Sequence, residues 1–245
     1  MFNIKNNKGD CMNIKIFNGF QLKIIMAALM LLDHIAQFIP NMPIWFHYLG
    51  RIVAPIFFFI LVEGFIHTSN RKKYMNRLFL WGFIMYGGSR LLELILPYEA
   101  SIPNNIFLSL GLCFTLLYLI DLIKEDDGRN KTKLKIYAVL TAAISLFTEA
   151  SYLGIGMVLI FYYYREKKLA LSIGYIVLSS IFIIGDFSYE NIFLINYQWM
   201  MVFSLPFILT YNGERGKSLK YFFYVFYPIH IWVLYIIGYF LHNTY

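Results

Sequence analysis

Charge is what this sequence is short of. Only 14% of its 245 residues are Asp, Glu, Lys or Arg, against roughly 25% in ordinary globular domains, while 59% are hydrophobic. A surface facing water on all sides needs more charge than that, so the balance reads as an all-α, polytopic helical membrane protein. Cysteine is scarcer still. Cys11 and Cys113 lack metal-cluster spacing, and Cys113 lies inside an apolar run where no bridge is expected. No metal site and no redox chemistry are anticipated. A small-residue cleavage pattern after the first apolar run is also missing, so that run reads as a retained helix and not as a signal peptide. No soluble domain, linker or internal repeat stands out. Residues 1–21 read as a cytoplasmic amino-terminal segment and 22–245 as a single helical transmembrane domain.

Basic residues are present, and their placement is informative. A net charge of +7 would suit a nucleic-acid partner if it lay on one soluble face, but the Lys and Arg fall in short clusters between apolar runs. Nucleic acid is excluded on that ground, and the bilayer becomes the expected partner. Nine apolar segments follow one another at 22–39, 44–68, 77–97, 104–123, 134–148, 152–164, 169–187, 197–211 and 221–241. The fifth and sixth are the weakest, each shorter than a standard span. Lys5, Lys8 and Lys15 precede the first; clusters at 71–77, 124–135, 165–168 and 215–220 follow the second, fourth, sixth and eighth. The intervening turns at 40–43, 97–104, 148–151 and 186–197 hold no Lys or Arg. Every second turn is positive, which predicts about nine transmembrane helices with the amino terminus cytoplasmic and the carboxyl terminus outside.

Within the first span, LKIIMAALMLLDHIAQFIP, Asp33 and His34 interrupt the hydrocarbon pattern. A central membrane Asp costs roughly 2.5–3.5 kcal/mol, so such groups face a protein interior or a wet cavity and mark a site. The topology puts Arg51, Arg90, Glu93 and Glu149 in the same outer stratum as this pair, with His230 near the middle of the last span. A buried Arg needs a counter-charge, so pairing among Arg51, Arg90, Asp33, Glu93 and Glu149 is expected. Ion pairs that merely staple helices are the plainer alternative; convergence from five helices weighs against it. A second stratum at the cytoplasmic face holds Lys23, Glu63, His67, Arg71, Lys72, Lys73 and Arg77. Its cations suit anionic headgroups or an anionic nucleotide.

The blocks LKIIMAALMLLDHIAQF, LGRIVAPIFFFILVEGFIHTSNRKKYMNRL, NNIFLSLGL, FTEASYLGIGMVLIFYYYRE, LTYNGERG and KYFFYVFYPIHIWVLY span nearly the whole chain. As a set they resemble the TraX family, whose namesake acetylates the amino terminus of conjugative pilin in the bacterial inner membrane. The wider group of transmembrane acyltransferases, to which that family is distantly similar, carries an Arg and a His separated by ten residues on its first helix. Lys23 and His34 have that spacing here, about 16 Å along a helix. The resemblance implies a membrane-bound acetyltransferase-like enzyme of the bacterial cytoplasmic membrane, with acetyl-CoA or another acyl-CoA entering from the cytoplasm. Its acceptor would be an envelope peptide, protein or polysaccharide.

On that implication His34 is the general base, able to exchange a proton near neutrality. Asp33 lies about 100° round the helix and is poorly placed to orient His34, which leaves Glu149 as the expected orienting group. Arg51 or Arg90 would stabilise an oxyanion. His230, in the block YPIH, would be an alternative base or a donor contact. Lys23, Arg71, Lys72, Lys73 and Arg77 would hold the nucleotide of the donor. A proton-coupled transporter or flippase using Asp33, His34, Arg51 and Glu149 as a relay is the competing class, and a structural subunit of a secretion complex is a third.

Overall fold

The computed structural model describes residues 15–218 and 220–242. Lys5, Lys8 and Cys11 of the amino-terminal segment lie outside the described residues, as does the side chain of Lys220.

Helix α1, Gly19–Phe38, starts at Asn18, whose side chain accepts the Gln21 N–H while the Gln21 side chain accepts the Asn18 N–H. This reciprocal cap satisfies two donors that a helix start otherwise leaves open. Leu22, Met26, Met30, His34 and Phe38 recur every fourth residue and are all buried, so His34 sits on the core stripe of the helix. Helices α2 (Trp45–Gly50) and α3 (Val53–His67) form one apolar stretch interrupted at Arg51 and Ile52. Pro55 accounts for the break: it has no N–H, and its ring crowds the carbonyl four residues earlier, that of Arg51. A bend therefore falls where the one cationic residue of the span must turn inward.

Asn70 and Asn105 cap α4 (Arg71–Ile95) and α5 (Ile106–Glu125). Next come α6 (Lys131–Ser145), α7 (Ser151–Tyr163) and α8 (Lys168–Ser180). A 3-10 turn at Ile181–Ile183, a π-helical turn at Glu190–Ile195 and a 3-10 helix at Tyr197–Ser204 lead to the short α9, Leu205–Leu209. Helix α10, Lys220–His242, contains Pro228. Among the described residues the β structure is a single bridge, Phe17 to Tyr211. Together with Gly19 N–H donating to the Glu214 carbonyl at 2.8 Å, it ties the loop after α9 to the start of α1.

Among the described residues, five helical stretches are long and apolar enough to cross a bilayer: Gly19–Phe38, Trp45–His67, Arg71–Ile95, Ile106–Glu125 and Tyr221–His242. The expected count of about nine is corrected here. Ser151–Tyr163, Lys168–Ile183 and Tyr197–Leu209 are apolar but short, and 13 residues of α7 rise about 20 Å against roughly 30 Å of hydrocarbon. Hydropathy registered the apolar residues and could not register where the helices stop.

The Trp45–His67 stretch, which ends in α3, is the most buried of the five; α3 lies at the centre of the packing. It packs against α1, α5 and α7, while α5 also meets α4 and α6, and α10 lies along α1 and α4. Large apolar side chains such as Phe83, Leu94, Val139, Leu169 and Val177 point outward. An apolar exterior on this scale is that of a membrane protein.

Candidate functional site

His34 on the core stripe of α1 meets His230 of α10, with Nδ1 and Nε2 2.7 Å apart. Their hydrogens follow from what each partner is able to do. His230 Nδ1 lies 2.6 Å from the Phe226 carbonyl, which only accepts, so that nitrogen carries a hydrogen. In a neutral His230 the other nitrogen then accepts, and His34 Nδ1–H donates to it. The lone pair left on His34 is that of Nε2. It faces the side-chain N–H of Asn104 at 3.3 Å, and Asn104 is held that way round by Gln37, whose amide donates to Asn104 Oδ1 at 2.8 Å. The arrangement presents a buried imidazole with one basic nitrogen.

Asp33 faces away from that pair. Its Oδ1 is 2.7 Å from His47 Nδ1, and Arg51 Nη2 donates to Oδ2 at 3.1 Å. Arg51 also donates to Gln198 Oε1 at 3.0 Å and, through Nε, to the His47 carbonyl at 3.2 Å. The Tyr197 ring stacks on His47 and lies under the Arg51 guanidinium. Gly50 makes this close approach feasible, since a Cβ there would stand 2.2 Å from Asp33 Cγ. Pairing of Arg51 with Asp33, expected from the cost of a lone buried charge, is observed.

Glu149 sits in the turn between α6 and α7, two residues before Ser151, whose φ of 44° is in the left-handed region. Its carboxylate accepts the Asn105 N–H at 2.5 Å and the Tyr227 hydroxyl at 3.4 Å. It makes no hydrogen bond to His34. The expectation that Glu149 orients His34 is therefore corrected: His230 and Asn104 do so, because α10 and the start of α5 pack nearer to that imidazole. Arg90 is corrected as well. It bonds Glu93 on its own helix at 2.6 Å and is half exposed, while the second Glu93 oxygen accepts the Ile102 N–H. A neighbour one turn away satisfies this cation without any part in the site.

At the other end of α1, Lys23, Lys73, Arg77, Arg215 and Lys217 gather around one opening. Among the described residues none of the five forms an ion pair with a carboxylate. Arg77 lies over the rings of Tyr74 and Tyr224. Arg215 and Lys217 belong to the loop tied to α1, where Gly216, at φ 67°, passes so close to Asn18 that a Cβ would come within 2.6 Å of its Oδ1. Beside this opening, burial pushes the Tyr211 phenol up to about 12, which keeps it a neutral donor. Two expected members of the cluster are absent from it. Arg71 is turned to Asp121 on α5 and lies on the Phe65 ring, with the Tyr162 hydroxyl donating to the other Asp121 oxygen at 2.9 Å. Lys72 is exposed away from the opening.

One cavity of about 720 Å³ joins the two ends. Lys23, Lys73, Arg77, Arg215 and Lys217 border it at the basic end, and Asp33, His34, Arg51, Glu149, Gln198 and Tyr227 at the other. His230 stands behind His34, outside the lining.

A model of the TraX family, described as TraX protein, matches residues 18–238. The chain belongs to the TraX family. It is also 28% identical over 237 residues, 89% of this chain and 94% of the relative, to a Dichelobacter nodosus protein named "Probable fimbrial assembly protein FimC, serogroup H1". No solved structure matches. The family match runs from before Lys23 to beyond His230 and so takes in both ends of the cavity.

Asn104, Tyr227, Gln198, Arg215 and Lys217 were not singled out by sequence reasoning. Asn104, Arg215 and Tyr227 lie within the blocks that carry the family resemblance, NNIFLSLGL, LTYNGERG and KYFFYVFYPIHIWVLY, which was the available signal. Gln198 and Lys217 lie outside them.

Proposed function

We propose that the protein is an acyltransferase of the bacterial cytoplasmic membrane that moves a short acyl group from acyl-CoA, in the simplest case acetyl-CoA, to an envelope-associated acceptor. One observation carries the reading: a single cavity links five cations lacking carboxylate partners to a histidine with one basic nitrogen. Polyphosphates are what unpartnered Lys and Arg bind, and a base some 16 Å away along α1 suits the far end of a long donor. With the amino terminus cytoplasmic, the basic opening faces the cytoplasm, where acyl-CoA is made.

In the step itself, a neutral acceptor amine attacks the thioester carbonyl. A C–N bond forms and the C–S bond breaks. The proton shed by nitrogen passes to His34 Nε2, which gives up its hydrogen bond from Asn104 to receive it, and leaves with the sulfur as thiol, so atoms and charge balance. His230 positions His34 by accepting its Nδ1–H. Arg51, held by Asp33 and Gln198, lines the same cavity and is the cation available to the carbonyl oxygen as charge gathers on it. The D. nodosus relative's name, together with the acetylation of pilin by the family's namesake, supports the amino end of a pilin-type peptide as acceptor.

The test is calorimetry of acetyl-CoA binding to the detergent-purified protein alongside radiolabelled transfer to a peptide amine. Lys23→Ala is expected to weaken binding, and His34→Ala to bind normally and transfer nothing. Failure of folded wild type to bind acetyl-CoA or longer acyl-CoAs would overturn the reading in favour of a transporter.

A further inference from the structure

A second cavity, of about 320 Å³, has Arg51, Glu149 and Gln198 in its lining, and these three also line the main cavity. The two spaces therefore meet at one set of side chains. The remainder of the smaller wall comes from the α6–α7 turn and the beginning of α7 (Tyr152, Leu153), the 3-10 turn after α8 (Phe182) and residues 195–197. Tyr152 and Phe182 stack, with centroids 6.5 Å apart and planes at 22°. Tyr197 is held by stacking on His47 and by the Arg51 guanidinium over its ring.

The main cavity has a cationic opening, whereas the lining of the smaller one holds a single cation and a single carboxylate. The main cavity opens among Lys23, Lys73, Arg77, Arg215 and Lys217. In the smaller one the only cation is Arg51, already paired with Asp33, and Glu149 supplies a carboxylate whose hydrogen-bond donors are both neutral. Asp186 and Glu190 lie on the loop just before its 195–198 wall, in a stretch, 186–197, without Lys or Arg. An anionic donor is disfavoured there. A primary amine beside an apolar side chain fits: the carboxylate attracts its ammonium form, and Tyr152, Phe182 and Ile195 cover the apolar neighbour.

We propose that this smaller cavity is the acceptor site, taking the amino end of a peptide whose first side chain is apolar, and that acceptor and donor reach the shared Arg51–Glu149–Gln198 set through separate cavities. The inference rests on the acyltransferase reading above. Glu149 receives the ammonium and takes one proton from it, which it later returns to water through the smaller cavity, and the neutral amine moves toward the carbonyl held in the main cavity. Tyr152 and Phe182 set which acceptors are used and take no part in the chemistry.

The experiment uses the full chain in detergent with saturating acetyl-CoA and a tetrapeptide with a free amino end and phenylalanine first. Tyr152→Ala and Phe182→Ala are each expected to raise the peptide KM about tenfold, to leave kcat within twofold, and to leave acetyl-CoA affinity unchanged; Tyr152→Phe restores the wild-type KM. The same peptide starting with glycine is expected to lose this sensitivity. Unchanged peptide KM in both alanine variants, or a parallel loss of acetyl-CoA affinity, would overturn the acceptor site while leaving the acyltransferase reading intact. Absence of binding and transfer in folded wild type would overturn both.

Discussion

Arg71 and Arg77 stand six residues apart on one helix and do different things. Six residues turn a helix by about 240°, so one guanidinium points at α5 and the other into the cavity. Arg71 finds Asp121 there and, supported by Tyr162 and the Phe65 ring, fastens α4 to α5. Arg77 finds two tyrosine rings and no carboxylate. The same contrast separates Arg165, which holds the buried Glu63, from Arg215, which donates to the Ser218 hydroxyl. A charge answered by a neighbouring helix is a fastening. One left facing a cavity leaves room for an anionic ligand.

The largest expected effect comes from breaking a fastening. Arg165→Ala leaves the Glu63 carboxylate, whose side chain is 9% exposed, with only His67 at 3.9 Å, and should cost about 3 kcal/mol of stability, because a buried charge that loses its main partner is far more costly than its pair is favourable. Thermal unfolding in detergent checks it; an unchanged midpoint would remove the distinction between the two kinds of arginine.

Next comes Gly50→Ala. The added methyl collides with Asp33 and should cost about 2 kcal/mol as an overpacked site, while freeing Arg51 from its counter-ion. Acetyl-CoA affinity should stay at the wild-type value in the same preparation, since the basic opening is at the other end of α1.

The smallest effect on the fold belongs to Arg77→Ala. The unfolding midpoint should not move, whereas acetyl-CoA affinity should fall about tenfold, the scale of one charge-assisted hydrogen bond. Lys72→Ala, from the same cluster but outside the lining, should alter neither. If Lys72→Ala weakens binding as much as Arg77→Ala does, general positive charge and not the cavity is what holds the donor.

The reach of sequence reasoning follows the same division. The Asp33–Arg51 pair was legible because an isolated membrane charge is too costly to leave alone and few partners were available. Lys23 and His34 were placed at opposite ends of one helix by spacing alone. Arg90 was misplaced because Glu93, three residues on, was a sufficient partner, and depth in the membrane does not say which way a side chain points. Glu149 was given a role that His230 fills from 196 residues away in the chain.

By itself, then, the sequence determined a helical membrane chain, the first helix with its basic start and histidine end, and the scarcity of charge that makes each buried one meaningful. Those are local properties, set by hydropathy and by 3.6 residues per turn. Only the tertiary structure decided which cations face the cavity, which partner fixes the tautomer of His34 and how many helices are long enough to cross. Each of these depends on contacts between segments distant in the chain, and the period of a single helix carries no information about its neighbours.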